Sequence, residues 1–394
     1  MKTATRCVHF HDLRDPYGAT APPIYQTATF HQPSAIEFGE YDYTRSANPT
    51  RSLLEEQLAA LEEGSFACAF ASGMAAIAAV TRLVEAGGEI LAGEDLYGGA
   101  SRLFSQVSSR QGIGVRYADL TDLDTVQRAM TPATRLVMAE TPTNPLLRIV
   151  DIAGLAEIAH RRGAVLAVDN SLLSPCLQRP LRLGADLVIH SATKFLCGHS
   201  DLSAGAVVGG DPELGRLLAF HQNAEGAGLA PFDSWLLLRS VKTLALRVER
   251  QTASARRIAE FLAGHPQVGR VFFPGLPDHP GREVHERQAS GPGAVMSFTT
   301  GDPRLSRHVV EATKLFAIAV SFGSVGSVIS LPCRMSHASI PPELRGRLSP
   351  PADLVRLSVG IEDVDDLIED LAAAFPAARA GCRVGEPRDF LRSP

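Results

Sequence analysis

Short, unbroken apolar runs alternate with amphipathic stretches from residue 66 to residue 208, and no other pattern in the chain restricts its fold so strongly. The runs fall at 66–70, 89–92, 136–139, 164–168, 186–189 and 204–208. Apart from Glu89 and Asp186 at the start of two of them, the runs are continuously apolar rather than alternating, which is the signature of strands buried on both faces, so the pattern predicts a largely parallel sheet covered by helices. Between two of the runs, Asp151 can cap a helix, Ile152, Leu155 and Ile158 share one face, and Gly163 supplies a stop. This segment reads as a crossover helix. Upstream, Asn48 as cap, Pro49 at the first helical position, an apolar stripe of Leu53, Leu54, Leu58 and Leu61, and Gly64 as terminator predict another.

The first 48 residues are rich in Pro, Tyr, Thr and His with little period, and read as an extended arm. After an Arg-rich helix over 244–264 the pattern changes to a shorter α/β set that closes with a strand over 354–361 and a helix over 363–375. A chain of 394 residues with 45% hydrophobic content suits two domains. The expected division is an arm over 1–48, a first domain over 49–245 and a second over 246–394.

Charge excludes some classes of partner. The 38 basic and 43 acidic residues give a net charge of −5 without a basic stripe, so no nucleic-acid partner is expected. The longest apolar stretch, 66–80, is interrupted by Ser72 and Gly73 and falls short of the roughly 20 residues that span a bilayer, so no membrane segment is expected. Residues 1–7 lead into charged sequence without a hydrophobic signal core, and a cytoplasmic location is the expectation. Cys7, Cys68, Cys176, Cys197, Cys333 and Cys382 are scattered, with no C-x-x-C pair and no histidine at metal spacing, so neither a disulfide framework nor a metal site is expected. His11, His221 and the other isolated histidines are assigned no role.

In parallel sheets, ligands sit beyond the C-terminal ends of the strands. After 164–168 comes Asp169, after 186–189 comes His190-Ser191-Ala192-Thr193-Lys194, and after 66–70 comes Ala71-Ser72-Gly73-Met74 at the start of an Ala-rich helix. These ends supply an acid, an amine and an anion site. Ser72-Gly73-Met74 offers free main-chain N–H groups to a phosphate, although a tight turn has the same sequence. Ser191 and Thr193 fit a phosphate or an ordinary polar loop. Lys194 stands directly behind a buried strand, where an unpaired ammonium is costly and tends to lose its proton, leaving an amine able to attack a carbonyl. Asp169 could cap the next segment or pair with a protonated pyridine nitrogen. Together the three ends match what pyridoxal 5'-phosphate (PLP) requires.

The motifs Tyr43-Thr44-Arg45, Ser72-Gly73-Met74, Tyr97-Gly98-Gly99, Pro142-Thr143-Asn144-Pro145, Val168-Asp169-Asn170 and Ser191-Ala192-Thr193-Lys194 resemble the Cys/Met-metabolism family of PLP enzymes. The similarity runs over essentially the whole chain. It implies the fold-type I architecture, a large domain with a mostly parallel sheet and a smaller C-terminal α/β domain. It implies Lys194 as the Schiff-base lysine and proton carrier, Asp169 on the pyridine nitrogen, and Tyr97 stacked on the cofactor. Gly73, Met74, Ser191 and Thr193 would hold the phosphate, and Tyr43 and Arg45 would reach it from a neighbouring subunit of a homotetramer built from dimers. Asn144, Ser321 and Arg356 would bind the α-carboxylate of an amino-acid thioether. An arginine on a strand edge is otherwise usually solvated, but a guanidinium fork matches a carboxylate.

Within the family, residues 223–233, 321–333 and 335–341 resemble cystathionine β-lyases of the plant type. Family members acting on cystathionine at the γ-carbon tend to carry a glutamate where this chain has Val320. Methionine γ-lyases tend to share that valine but place a cysteine at the position of Gly99 and lack a basic residue at that of Arg102. Arg102 could bind the distal carboxylate of cystathionine, or be a surface helix arginine. The resemblance therefore implies cleavage of L-cystathionine to homocysteine, pyruvate and ammonia in methionine biosynthesis. The alternatives are γ-elimination, γ-replacement on an activated homoserine, and a PLP-bearing protein without catalysis.

Overall fold

The computed structural model describes residues 1–9, 15–335 and 349–376. Of the features singled out above, His11, residues 336–341 and Cys382 lie outside them. Seven strands, β1 (Phe66–Phe70), β2 (Glu89–Gly93), β3 (Gly114–Ala118), β4 (Thr134–Glu140), β5 (Val165–Asp169), β6 (Leu187–His190) and β7 (Gly205–Gly209), form one sheet in the order β1-β7-β6-β5-β4-β2-β3. The pairs from β3 through β6 are parallel, and β7 runs antiparallel to both β6 and β1. The six apolar runs all become strands. The pattern misses β3, because this edge strand pairs only with β2 and its half-exposed Gly114–Ala118 sequence has no continuous apolar run.

The helix Pro49–Glu62 begins as its sequence dictates, with Asn48 Oδ1 accepting from Thr50 N at 3.0 Å. Its end differs from expectation. Glu63, at φ 64°, takes the left-handed position, while Gly64 is required by space, since a Cβ there would lie 2.7 Å from the Gly209 carbonyl oxygen. The Glu63 carboxylate holds Arg6 at 2.5 Å and also pairs with Arg182, and these guanidinium groups keep its pKa below the usual range.

Residues 3–8 are not extended. They form the helix Thr3–Val8, which packs on the helices Pro49–Glu62 and Leu244–Ala263 and buries Cys7 in the core. Six residues with β-branched members have little helical tendency of their own, and packing overrides it. Residues 15–48 are largely exposed and are tied down by Asn48 Nδ2 donating to Tyr25 O and Trp235 Nε1 donating to Pro22 O, both at 2.9 Å.

The second sheet comprises β8 (Arg270–Phe272), β9 (Val295–Thr299), β10 (Ala317–Ile318), β11 (Val328–Ser330) and β12 (Leu354–Ser358), in the order β10-β11-β12-β9-β8. Residue 245 is the second residue of Leu244–Ala263, the helix that leads from one sheet to the other. Apolar packing is continuous between the two sheets, because one cluster contains Val188 of β6, Phe298 of β9 and Val355 of β12 together with Phe195 and Phe322, whose ring centres lie 6.2 Å apart. Each such fully buried side chain contributes roughly 1.5–3 kcal/mol relative to exposure. The loop after β6 is thus clamped between two rigid layers. The five cysteines among the described residues are free thiols, and no described helix is long and apolar enough to cross a membrane.

Candidate active site

The C-terminal ends of β1, β4, β5 and β6 open on a cavity of about 630 Å³. Its walls include Gly73, Met74, Tyr97, Arg102, Asn144, Asp169, Ser191, Thr193, Lys194, Ser321 and Arg356. Only Tyr43 and Arg45, of the residues expected at the site, stand elsewhere. They line a second cavity of about 390 Å³ with Arg51, Gly226 and residues 228–231, and the Arg45 guanidinium lies 5.4 Å from the Tyr43 ring centre.

One end of the main cavity is built for an anion. Ser72 caps the helix Gly73–Thr81 by accepting from Ala75 N at 3.1 Å, which leaves the first main-chain N–H groups of that helix without intrahelical acceptors. The loop after β6 presses onto this turn, and a Cβ on Gly73 would lie 2.9 Å from Ser191 Oγ. Thr193 Oγ1 accepts from Ala204 N at 3.0 Å and lies 3.2 Å from Ala204 O, so the start of β7 orients its hydroxyl.

Asp169 sits between the anion end and the lysine. It is buried, and its Oδ1 accepts from Ser171 N at 2.9 Å, so it stabilises the following turn and caps no helix. Burial pushes its pKa up. Behind it a buried His190–Glu62 contact at 2.6 Å, shared with Asn170 at 2.9 Å, stiffens the strand ends.

At the other end, Lys194 Nζ donates to Ser321 Oγ at 2.6 Å and lies 4.8 Å from the Phe322 ring centre. Burial and the nearby Arg356 charge lower its pKa to about 8, against the pull of Asp169. Ser321 has φ 82°, a left-handed conformation uncommon for a residue with a side chain, and strain of this kind clusters at functional sites. Its carbonyl accepts from Arg356 Nη2 at 2.7 Å, while Arg356 Nη1 donates to Asn144 Oδ1 at 2.9 Å. The strand-edge reading of Arg356 fails, since β12 lies inside its sheet and the side chain is only 2% exposed. Burial lowers its pKa to about 10.

Tyr97 is the cap residue of the helix Gly98–Gln106, and its ring lies across the first turn; a Cβ on Gly99 would meet Tyr97 Cε1 at 2.4 Å and Met74 Sδ at 2.9 Å. Arg102, one turn on, is exposed at the surface yet also lines the cavity.

The sequence reading missed Glu140, Ser171, Ser203 and Phe322, which line the same cavity. Glu140 carried a signal, because it directly follows the apolar run 136–139 and so occupies a strand end like Asp169. Its pKa is raised well above the usual range, first by burial and then by the charges of Asp169 and Asp95.

PLP presents a phosphate, a ring nitrogen and a reactive carbonyl. The residues fit it, with helix-start N–H groups lacking intrahelical acceptors and the Ser191 and Thr193 hydroxyls at one end, the buried carboxylate of Asp169 at the centre, and an amine of lowered pKa beyond. The model of the family described as Cys/Met metabolism PLP-dependent enzyme matches residues 4–376. A chloroplastic cystathionine β-lyase of Arabidopsis thaliana is 56% identical over 372 residues, covering 94% of this chain and 80% of that protein. A cystathionine γ-lyase of Bacillus subtilis is 46% identical over 376 residues, covering 95% and 99%. The crystal structure of a cystathionine γ-synthase from Xanthomonas oryzae pv. oryzae in complex with cystathionine superposes with a TM-score of 0.93 at 42% identity, covering 95% of this chain and 98% of that one.

Proposed function

This chain belongs to the Cys/Met metabolism family of PLP-dependent enzymes, and from that premise we propose that it is a carbon–sulfur lyase cleaving L-cystathionine to homocysteine, pyruvate and ammonia. The observation that carries the reading is the surroundings of Lys194. Its amine meets Ser321 Oγ at 2.6 Å, and the neighbouring cavity residue is Val320, which has no carboxylate to offer. The 56% identity to a plant cystathionine β-lyase supports the same choice.

In this reading Lys194 holds the cofactor through Nζ, Asp169 pairs with its ring nitrogen, and Tyr97 lies on its ring. Gly73, Met74, Ser191 and Thr193 bind its phosphate. When bound, PLP supplies the electron sink that stabilises negative charge on the substrate's α-carbon. Asn144 and Arg356, with Ser321, bind the α-carboxylate and turn the Cα–H bond towards Lys194. Once the substrate's amino group had displaced it from the cofactor, Lys194 would take that proton on its freed amine, and the bond from Cβ to sulfur would then break with its electron pair on sulfur. Elimination at the γ-carbon requires a further proton to leave Cβ, and Val320 offers no carboxylate for it; since methionine γ-lyases tend to share that valine, Gly99 and the cavity residue Arg102 are the features that set this chain apart from them.

The 46% identity to a γ-lyase favours one second reading. Product analysis on L-cystathionine separates the two, since the β-lyase releases pyruvate, whereas 2-oxobutyrate as the main keto acid would overturn the proposal. Arg102 binds the distal carboxylate of cystathionine. For Arg102→Met we expect a kcat/KM loss on L-cystathionine of about ten- to a hundredfold, as for a charge-assisted hydrogen bond, with little change on monocarboxylate thioethers. Equal losses on both substrates would remove the assignment.

The pH dependence of cofactor capture follows from Lys194. Only the neutral amine attacks a carbonyl, and lowering the pKa from 10.5 to about 8 makes that form abundant above pH 8 and scarce below it. Stopped-flow mixing of apoenzyme with PLP is therefore expected to show a rate that rises through about pH 8. A rate that first climbs near pH 10 would contradict it.

The assembly is a homotetramer built from dimers, in which Tyr43 and Arg45 complete the neighbour's phosphate site. Their position in a separate, open cavity supports this. The location in this reading is cytoplasmic.

A further inference from the structure

Glu140 is the last residue of β4, a strand that lies between β5 and β2. Its Cα partner in β5 is Asp169, and on the other side β2 ends at Gly93 and runs into the loop carrying Tyr97. The carboxylate reaches both ways. Glu140 Oε1 accepts from the main-chain N–H of Asn144 at 2.8 Å, and Oε2 accepts from that of Tyr97 at 3.3 Å. A second acid ties the same two loops, because Asp95 accepts from Thr143 Oγ1. Glu140 is buried, and among the described residues it makes no salt bridge, but its charge acts on the Arg356 guanidinium of the same cavity and pulls that pKa upward, so it is the site and not the apolar core that accommodates this carboxylate.

Resting on the reading of the cavity as a PLP lyase site, we infer that Glu140 is a positioning residue. Its one carboxylate fixes the loop that presents the Tyr97 ring and the turn that presents Asn144 Oδ1 to Arg356. The plane of the cofactor and the clamp for the substrate carboxylate are thereby set relative to each other. Both oxygens must accept for this to hold. A glutamine supplies only one acceptor oxygen, and its NH₂ would face the second main-chain N–H.

The test uses Glu140→Gln as holoenzyme. The expected result is a KM for L-cystathionine raised about tenfold or more, weaker PLP binding, and a changed visible circular dichroism of the bound cofactor, with far-UV circular dichroism retained. KM, PLP affinity and the visible band all within about twofold of wild type would overturn the inference. A measurement on the unaltered protein decides the matter even where the variant does not fold. The amide hydrogens of Tyr97 and Asn144 are expected to be protected from exchange, and exchange at open-loop rates would overturn the clasp. If the unaltered protein neither binds PLP nor releases pyruvate, the lyase reading falls, while the exchange of those two amides still tests Glu140.

Discussion

Replacing Lys194 by alanine is expected to lower pyruvate release from L-cystathionine by at least about 10³-fold, the scale of losing a positioned proton carrier that is also the covalent anchor. The absorbance of cofactor bonded to the protein should vanish as well, because among the described residues no other lysine lines the cavity. Loss of fold is not the expected cause. The folded pKa of Lys194, about 8, lies below its unfolded value of 10.5, so the unfolded chain binds more protons between those values and stability rises with pH across that window. At pH 7 the buried ammonium opposes folding by a few kcal/mol, offset in part by Ser321 and the Phe322 ring, and alanine removes that term. Thermal unfolding of the variant apoenzyme should therefore begin no lower than that of the wild-type apoenzyme. Retained cofactor absorbance would refute the anchoring role, and an early melt would move the explanation to folding.

The parts of the site that the sequence made legible are those in which chemistry directly follows a strand. Asp169 and Lys194 stand behind continuous apolar runs, and a parallel sheet brings such ends together whatever the length of the connections. Glu140 obeys the same rule and was readable, yet an acid after a strand has so many ordinary explanations that nothing in the sequence raised it above them. The strand β3 and the helix Thr3–Val8 were illegible for a different reason. Each is short, and each owes its structure to a neighbour, β2 in one case and the helices around Cys7 in the other.

The convergence on Arg356 was legible through the family resemblance alone, which grouped Asn144, Ser321 and Arg356, and not from any local pattern. Arg356 meets Asn144 across 212 residues and Ser321 across 35, distances over which no local pattern carries information. The left-handed backbone of Ser321 was equally hidden. Glycine normally announces that conformation, and here the nearest glycine, Gly323, takes it as well, at φ 84°. Only the packing of the loop containing Phe322 against Phe195 shows why the serine is held there.

That convergence makes Arg356→Lys the second large effect. Both ends of the guanidinium are engaged, Nη1 with Asn144 Oδ1 at 2.9 Å and Nη2 with the Ser321 carbonyl at 2.7 Å, so the group is pre-oriented before any carboxylate arrives. A lysine keeps the charge but can neither span both partners nor present a planar fork. Truncating one member of a buried, hydrogen-bonded charge pair typically costs 2–5 kcal/mol, and kcat/KM on L-cystathionine should fall about 10²- to 10³-fold, mostly through KM. Arg356→Met should lose at least as much activity while the apoenzyme melts no lower, because an apolar side chain of similar length fills a site where burial already lowers the guanidinium pKa to about 10. The geometry also predicts an effect on Lys194, since Arg356 is one of the two causes lowering its pKa. In Arg356→Met the pH at which cofactor capture accelerates should move upward from about 8, and an unchanged pH profile would show that the two cations do not sense each other.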